Sequence, residues 1–497
     1  MLALQNKSGI VKLRWKQFRI LMYMNVRKDD VTMKTRPDSD SIGTLQIPYD
    51  AYYGVQSLRG RNNFPITGNR MHPMQIMMLA ALKKACAIAN FRAGKLDKRV
   101  CDAIVTASEE IMNGKFHDEF IVDPIQGGAG TSANMNANEV IANRACELLG
   151  GEKGDYSLCH PNDHVNMSQS TNDIYPASGK LAALGLLPAL LNQLRRLEQA
   201  LLQKAEEFDD VLKVGRTQMQ DAVPIRLGQE FHAYASAIHR DIHRIDDIRS
   251  QIAVLNMGAT AIGTAINVPA SYLEEIADEV TKATGIEVTN THDLVDGTQN
   301  LDSVVAVHSL LKTCAVSLSK ICNDLRLMSS GPKTGFGEIN LPAQQNGSSI
   351  MPGKVNPVIP EVVTQVCYAV MGNDVTITMC AEAGQLELNA FEPVAFYRLF
   401  ESITALTGAV QTLIDNCVVG ITANRERCRD LLEHSVCTVT ALVPHIGYQE
   451  AATIAKTALK TGETIRELVL KQGLLTEEQL DDILEPYHMT VPGSALK

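Results

Sequence analysis

Apolar positions in the middle of the chain recur at intervals of three and four. Leu187, Leu190, Leu194, Leu197, Leu201, Phe208 and Val211 form one series. Leu227, Phe231, Tyr234, Ile238, Ile242, Ile245, Ile248, Ile252 and Leu255 form a second, and similar patterns run over about 300–329 and 357–419. This is the period of an α-helix with one apolar stripe, sustained well beyond the ~11 residues of an average helix. It predicts four or five helices of about 30 residues, each about 45 Å or more in length. The stripes read as the packed core of a bundle rather than as a cofactor site. Pro188 lies inside the first stripe and predicts a kink there. Stripes wider than one neighbour can cover predict association with further copies of the chain.

The flanking regions are patterned differently. From Asp38 to about Pro176, Gly and Pro interrupt the apolar runs. Two polar stretches stand out there, Gln126–Asn138 and His160–Asp173, both rich in side chains that cap helices and close turns. From about 427 the helical patterns are shorter, and Thr476-Glu-Glu-Gln479 fits a capping box. Between two bundle segments, Ser329–Pro357 holds five Gly and four Pro. A loop of that length in a compact protein is usually functional, often a lid. The expected organisation is a basic, disordered extension over 1–36, an N-terminal domain over 37–171, a central helical bundle over 172–426 that carries the loop 329–357, and a small helical domain over 427–497.

Composition narrows the function. Lys and Arg number 46 against 56 Asp and Glu, a net charge of −10, so no nucleic-acid partner is expected. The charge is uneven: residues 1–36 contain nine basic and two acidic side chains. That segment resembles a transit peptide, and a non-functional extension or a start assigned ahead of Met24 or Met33 fits it as well. No run of about 18 uninterrupted apolar residues occurs, so no membrane-spanning helix and no membrane partner are expected. The 11 cysteines are dispersed, without a CxxC pair. They predict reduced, buried thiols and a cytoplasmic location.

No phosphate-binding GxxxxGK[ST], HExxH or dinucleotide fingerprint occurs. His160 and His164 are four apart, but Pro161 and Asn162 argue against the continuous helix that a paired metal ligand would need. No metal site and no required cofactor are expected. Four polar loops remain: Gly127–Asn138, Ser168–Asn172, Gly215–Asp221 and Gly347–Asn356, with Arg216 and Lys354 as cations. Hydroxyls, amides and helix N-terminal N–H groups suit carboxylate oxygens. The fourth loop is the most specific. It sits in the irregular stretch, has adjacent hydroxyls at Ser348 and Ser349, and places Lys354 six residues after Ser348.

Gly347-Ser-Ser-Ile-Met-Pro-Gly-Lys-Val-Asn-Pro357 resembles the GSSxMPxKxNP signature of the fumarase/aspartase superfamily, and the likeness extends from Pro48-Tyr-Asp-Ala-Tyr-Tyr-Gly54 to the C-terminus. Gly127–Asn136, Gly215–Pro224 and Pro357–Val363 resemble the aspartase branch; the fumarase branch typically has His where this chain has Gln218. The resemblance implies reversible anti-elimination of ammonia from L-aspartate to give fumarate, through an aci-carboxylate dianion. Fumarate hydration is the alternative, and a retired binding protein or a lyase for a methylated aspartate or an arginine-linked succinate are further rivals. It implies Ser348 as the general base. Thr131, Ser170, Thr171 and Ser349 would surround the β-carboxylate; Thr217, Lys354 and Asn356 would hold the α-carboxylate. Asn172 would lie near the amino group, with Gln218 and Met351 also at the substrate. Gln218 cannot titrate, so it can only position, and Glu361 lacks the His partner that fumarases supply. The implied fold is mainly α-helical with three domains and a central five-helix bundle, four copies of which form a twenty-helix core. Each active site would draw on three subunits. No organic cofactor is required, and magnesium or another divalent cation would act as an activator only.

Overall fold

The structure, a computed structural model, describes residues 34–493. The basic extension lies outside the described residues up to position 33. The chain divides into two compact units, the first ending at Ala51 and the second running from Tyr52 to Lys497.

In the first unit, β1 (Thr35–Asp40) pairs antiparallel with β2 (Gly43–Pro48). Asp40 closes the turn: its Oδ1 accepts the N–H groups of Ile42 and Gly43 at 3.0 and 3.1 Å. Thr35 and Arg36, assigned above to a disordered extension, therefore belong to an ordered hairpin. The Arg36 guanidinium is buried, donates to the Ala51 carbonyl at 3.1 Å and pairs with Asp38 at 3.6 Å.

The second unit is helical. It begins with α1 (Val55–Asn63), α2 (Pro73–Arg92), α3 (Lys98–Met112) and α4 (Thr131–Leu148). Then come α5 (Thr171–Glu207), α6 (Leu227–Asp247), α7 (Arg249–Ile252), α8 (Ala270–Thr284), α9 (Leu294–Gln299), α10 (Asp302–Met328), α11 (Val358–Glu382) and α12 (Glu392–Asn416). Five of these make the predicted bundle. α5 packs on α6 and α12, α11 packs on α10 and α12, and α10 closes the ring against α6. The apolar stripes face inward: Leu187, Leu190, Leu194, Leu197 and Leu201 on α5, and Phe231, Ile238, Ile242 and Ile245 on α6, are all buried. At 37 residues, α5 is about 55 Å long. It runs as one helix through both Pro176 and Pro188.

The pattern over 357–419 is not one helix. It breaks between Glu382 and Glu392, where Gln385 and Leu388 form a bridge and Leu386 adopts φ 53°. Periodicity could not see this, because the stripe resumes in phase after the turn. Val211 and Leu255 also leave the helices: Val211 precedes a hairpin, and Leu255 lies in β5 (Val254–Leu255), paired parallel with β6 (Thr289–Asn290).

Averaged over a window, hydropathy picks out helices that the search for uninterrupted apolar runs passes over. Pro73–Arg92, Thr171–Glu207, Asp302–Met328 and Glu392–Gly420 are long and apolar enough to cross a membrane by length and composition alone. In the first two windows, 72% and 78% of the residues are buried within the protein, so packing uses that apolarity. The bundle interior also holds polar groups. His308 on α10 contacts Asp374 on α11 at 3.0 Å through Nδ1 and Ser402 on α12 at 2.9 Å through Nε2.

The C-terminal segment comprises α13 (Arg425–Glu433), α14 (Val439–Ile446), α15 (Tyr448–Thr461), α16 (Ile465–Lys471), α17 (Glu477–Ile483) and α18 (Pro486–Thr490). Leu442, Ile454, Ile465, Leu468, Val469 and Leu480 form their own cluster there. The capping box read at Thr476 and Gln479 opens α17. All 11 cysteines are free and buried.

Candidate active site

The polar loops resolve into three groups. The first lies at two helix N-termini. Thr131 is the first residue of α4, and Ser170 caps α5, followed by Thr171 and Asn172. Gly130 makes the first corner: it has φ 90°, and a Cβ there would lie 2.4 Å from the Tyr175 ring. Only glycine fits that position. At α5 the Ser170 hydroxyl accepts the Asn172 N–H, and Asp173 accepts the Ser170 N–H at 2.9 Å. Asn134 on α4 donates to the Thr171 hydroxyl at 3.2 Å, which ties the two helix starts together. Two positive helix ends and the hydroxyls of Ser170 and Thr171 therefore share one region, a setting that favours an anion, while the Thr131 hydroxyl beside them donates to the Gly128 carbonyl at 2.7 Å. Asn172 spends one amide proton on the Ala261 carbonyl at 2.7 Å.

Behind these hydroxyls lies a buried polar layer. The Lys83 ammonium on α2 contacts the side-chain oxygens of Asn134 (2.7 Å), Asn166 (2.9 Å) and Gln169 (2.8 Å). The other carboxylate oxygen of Asp173 accepts the N–H groups of Gly258 and Thr260 at 3.2 and 3.1 Å. Burial pushes Lys83 down to about 7 and Asp173 up to about 7.

The second group, Gly215–Asp221, is a β-hairpin rather than a loop. β3 (Leu212–Thr217) pairs with β4 (Gln220–Arg226) through a two-residue turn at Gln218 and Met219, whose φ values are 54° and 64°. Two non-glycine residues in left-handed backbone are costly and mark a place where side-chain position matters. Thr217 and Gln218 are exposed at its tip. Arg216 is not available for an anion: it binds the buried Glu338 carboxylate at 2.8 Å and stacks on Phe336 at 4.2 Å. Glu338 also pairs with Lys213 at 3.3 Å.

The third group is the Gly347–Pro357 signature. Asn346 and Val355 pair as an isolated bridge, the Gly347 N–H donates to the Lys354 carbonyl at 2.7 Å, and the Asn356 amide donates to the Gly347 carbonyl at 2.9 Å. Gly347 is required at this pinch, because a Cβ would meet the Lys354 carbonyl at 2.7 Å. Within the loop the Ser348 Oγ accepts two backbone N–H groups, from Ile350 at 3.2 Å and Met351 at 3.0 Å. Donors aimed at an oxygen favour its anionic form. Ser349, Met351 and Lys354 are exposed. Among the described residues, no hydrogen bond or ion pair joins these three groups to one another. The metal reading of His160 and His164 meets a different use for both rings. His160 caps a π-helical turn, Pro161–Val165, by accepting the Asn162 and Asp163 N–H groups, and His164 Nδ1 accepts the His160 N–H.

Comparison with known proteins places this architecture. Residues 43–372 match the lyase family, and residues 439–491 match the fumarase C C-terminus family. Aspartate ammonia-lyase of a Bacillus species is 54% identical over 460 residues, covering 93% of this chain and 98% of that protein. The chain belongs to the fumarase/aspartase superfamily. The Escherichia coli K12 aspartate ammonia-lyase is 47% identical over 93% of this chain and 97% of its own length. Among solved structures, a fumarate lyase:delta crystallin from Brucella melitensis, bound to cobalt, superposes with a TM-score of 0.90 at 49% identity, covering 92% of this chain and 100% of that one. A class II fumarase from Schistosoma mansoni gives 0.88 at 35% identity over 93% and 100%. Within the superfamily the chain is thus nearer to aspartases than to that fumarase.

Reading the polar loops one by one missed the layer that supports them. Lys83, Asn134, Asn166, Gln169 and Asp173 received no role. The signal was available for Lys83: it is a lone cation on the apolar face of α2, between Leu79 and Cys86. For the others, only the fold shows that they converge.

Proposed function

We propose that the three groups meet on one molecule of L-aspartate, with Ser348 as the base. The enzyme is a carbon–nitrogen lyase of the aspartase kind, eliminating ammonia from L-aspartate to give fumarate. The observation that carries the Ser348 assignment is its Oγ, which accepts two backbone N–H groups inside a loop bearing Lys354. An ordinary serine is a poor base; these donors and the nearby cation stabilise its alkoxide. Ser348 takes a proton from Cβ, and the electron pair enters the β-carboxylate to form the aci-carboxylate dianion. Thr131, Ser170, Thr171 and Ser349 stabilise that dianion as oxyanion-hole donors do. The pair then returns to form the C=C bond while the Cα–N bond breaks and the amine departs. Thr217, Lys354 and Asn356 hold the α-carboxylate, and Asn172, Gln218 and Met351 orient the amine end. Gln218 supplies no titrating group, which suits release of an already charged ammonium rather than activation of water. No organic cofactor takes part, and a divalent cation such as magnesium has at most the part of an activator.

The assembly we propose is a homotetramer with a twenty-helix core, in which each site collects loops from three subunits. Two observations support it. Among the described residues the three groups share no bond within one chain, and α11 carries an exposed apolar stripe of Tyr368, Val375 and Met379, each at least 60% exposed. A cytoplasmic location agrees with 11 free thiols. The deciding experiment is a side-by-side assay with L-aspartate, malate and larger succinyl adducts. Aspartate should yield equal amounts of ammonium and fumarate without an added organic cofactor. Conversion of fumarate to malate with aspartate untouched would replace this reading with a fumarase.

A further inference from the structure

The Lys83 ammonium offers three protons and no acceptor, and it faces three amide oxygens within 2.7–2.9 Å. That is full satisfaction of an ammonium, and it leaves no freedom in how the amides are turned. Asn134 must direct its Oδ1 at Lys83. Its NH2 then points the opposite way and donates to Asn166 Oδ1 at 3.1 Å and to Thr171 Oγ1 at 3.2 Å. Lys83 and Asn134 are both buried, at 0% and 1% exposure, so water does not compete for these bonds. Thr171 Oγ1 consequently receives a proton from behind. Among the described residues, no hydrogen bond uses the proton that Thr171 itself carries.

We infer that Lys83 and Asn134 are positioning residues that set the polarity of the Thr171 hydroxyl, so that it donates outward to the substrate's carboxylate. A threonine hydroxyl rotates freely and both donates and accepts. Facing a carboxylate, only the donating orientation stabilises charge. The chain Lys83 → Asn134 → Thr171 makes that orientation the resting one, so no reorientation is needed as the dianion forms. This rests on the proposed placement of Thr171 at the substrate.

The polarity can be inverted with almost no change of shape. Asn134→Asp keeps a partner for Lys83 but can only accept from Thr171, which turns the hydroxyl inward, and it gives up the bond to Asn166 Oδ1. The expected result is a kcat/KM for L-aspartate about 10- to 100-fold lower, while Tm reflects both the carboxylate that Lys83 gains and the bond to Asn166 that is lost. In a Thr171→Val background, Asn134→Asp should cause no further fall. A merely structural Asn134 would lower kcat/KM to the same extent with and without the Thr171 hydroxyl, so its loss would multiply with that of Thr171→Val. If Asn134→Asp does not fold, Asn134→Ala serves in the same cycle: a smaller loss is expected, again absent once Thr171 is Val. Wild-type kcat/KM in Asn134→Asp, or losses that multiply in the double variant, would overturn the inference while leaving Thr171 at the site. Wild-type activity in Thr171→Val would remove Thr171 from the site, and the inference with it.

Discussion

Two parts of the site are built in opposite ways. The helix-start group of Thr131, Ser170, Thr171 and Asn172 is backed by a buried layer in which Lys83, Asn134 and Asp173 each make at least two polar contacts. The signature loop is held chiefly by its own backbone and one Asn356 amide, and it leaves Ile350 84% and Val355 51% exposed. The first group is formed before substrate arrives. The second has the Ser348 Oγ oriented but its surroundings open. Carboxylate stabilisation needs fixed dipoles, whereas a base that must exclude water can sit on a segment that closes.

Ser348→Ala should have the largest effect: kcat lower by about 10²- to 10⁴-fold, the range of a lost general base, with Tm and oligomeric state unchanged. Most of the activity surviving would show that the loop does not carry the base. The glycines test the difference in rigidity directly. Gly130→Ala, which forces a Cβ into the Tyr175 ring, should cost about 2–4 kcal/mol in thermal unfolding. Gly353→Ala has a similar φ of 79° but open space around it, and should cost about 1 kcal/mol. Equal losses would mean that the two regions are equally packed. Asp173→Asn weakens the capping box of α5 and should cost about 1–2 kcal/mol, measured by chemical unfolding, with activity falling more than for an unrelated cap such as Thr476→Ala.

A smaller effect concerns pH in the bundle, away from both regions. Burial lowers the pKa of His308 below its ordinary 6.5. Burial opposes the charge of Asp374, but hydrogen bonds from Lys312 and His308 outweigh it and hold that carboxyl low. Below about pH 6.5 the unfolded chain takes up a proton at His308 that the folded chain refuses, and below about pH 3.8 the same holds at Asp374, so stability is lost in two successive windows, at up to ~1.4 kcal/mol per unit in each. Unfolding measured across the first window should flatten in His308→Gln. Deleting residues 1–33 should have the least effect, leaving kcat and assembly unchanged; loss of either would give that segment a role.

The long stripes were legible because helical burial repeats every three to four residues wherever a helix faces a core. Ser348, Lys354 and Asn356 stood out as candidates because they lie in a specific family motif on a glycine-bearing loop. The break at Glu382–Glu392 was not legible, since a stripe can continue in phase across a turn. Arg216 illustrates a second limit: it stood out as a cation in a polar segment, and nothing near it in sequence shows that Glu338, more than a hundred residues away, pairs with it.

The sequence by itself determined the helical class, the bundle's apolar faces and the family. Tertiary structure alone decided which polar groups are left open and which hold others in place. Asn134, Thr171 and Lys83 come from three helices, and their roles follow from directional bonds that depend on distance and angle. Burial leaves a period in the sequence; a hydrogen bond between distant positions leaves none.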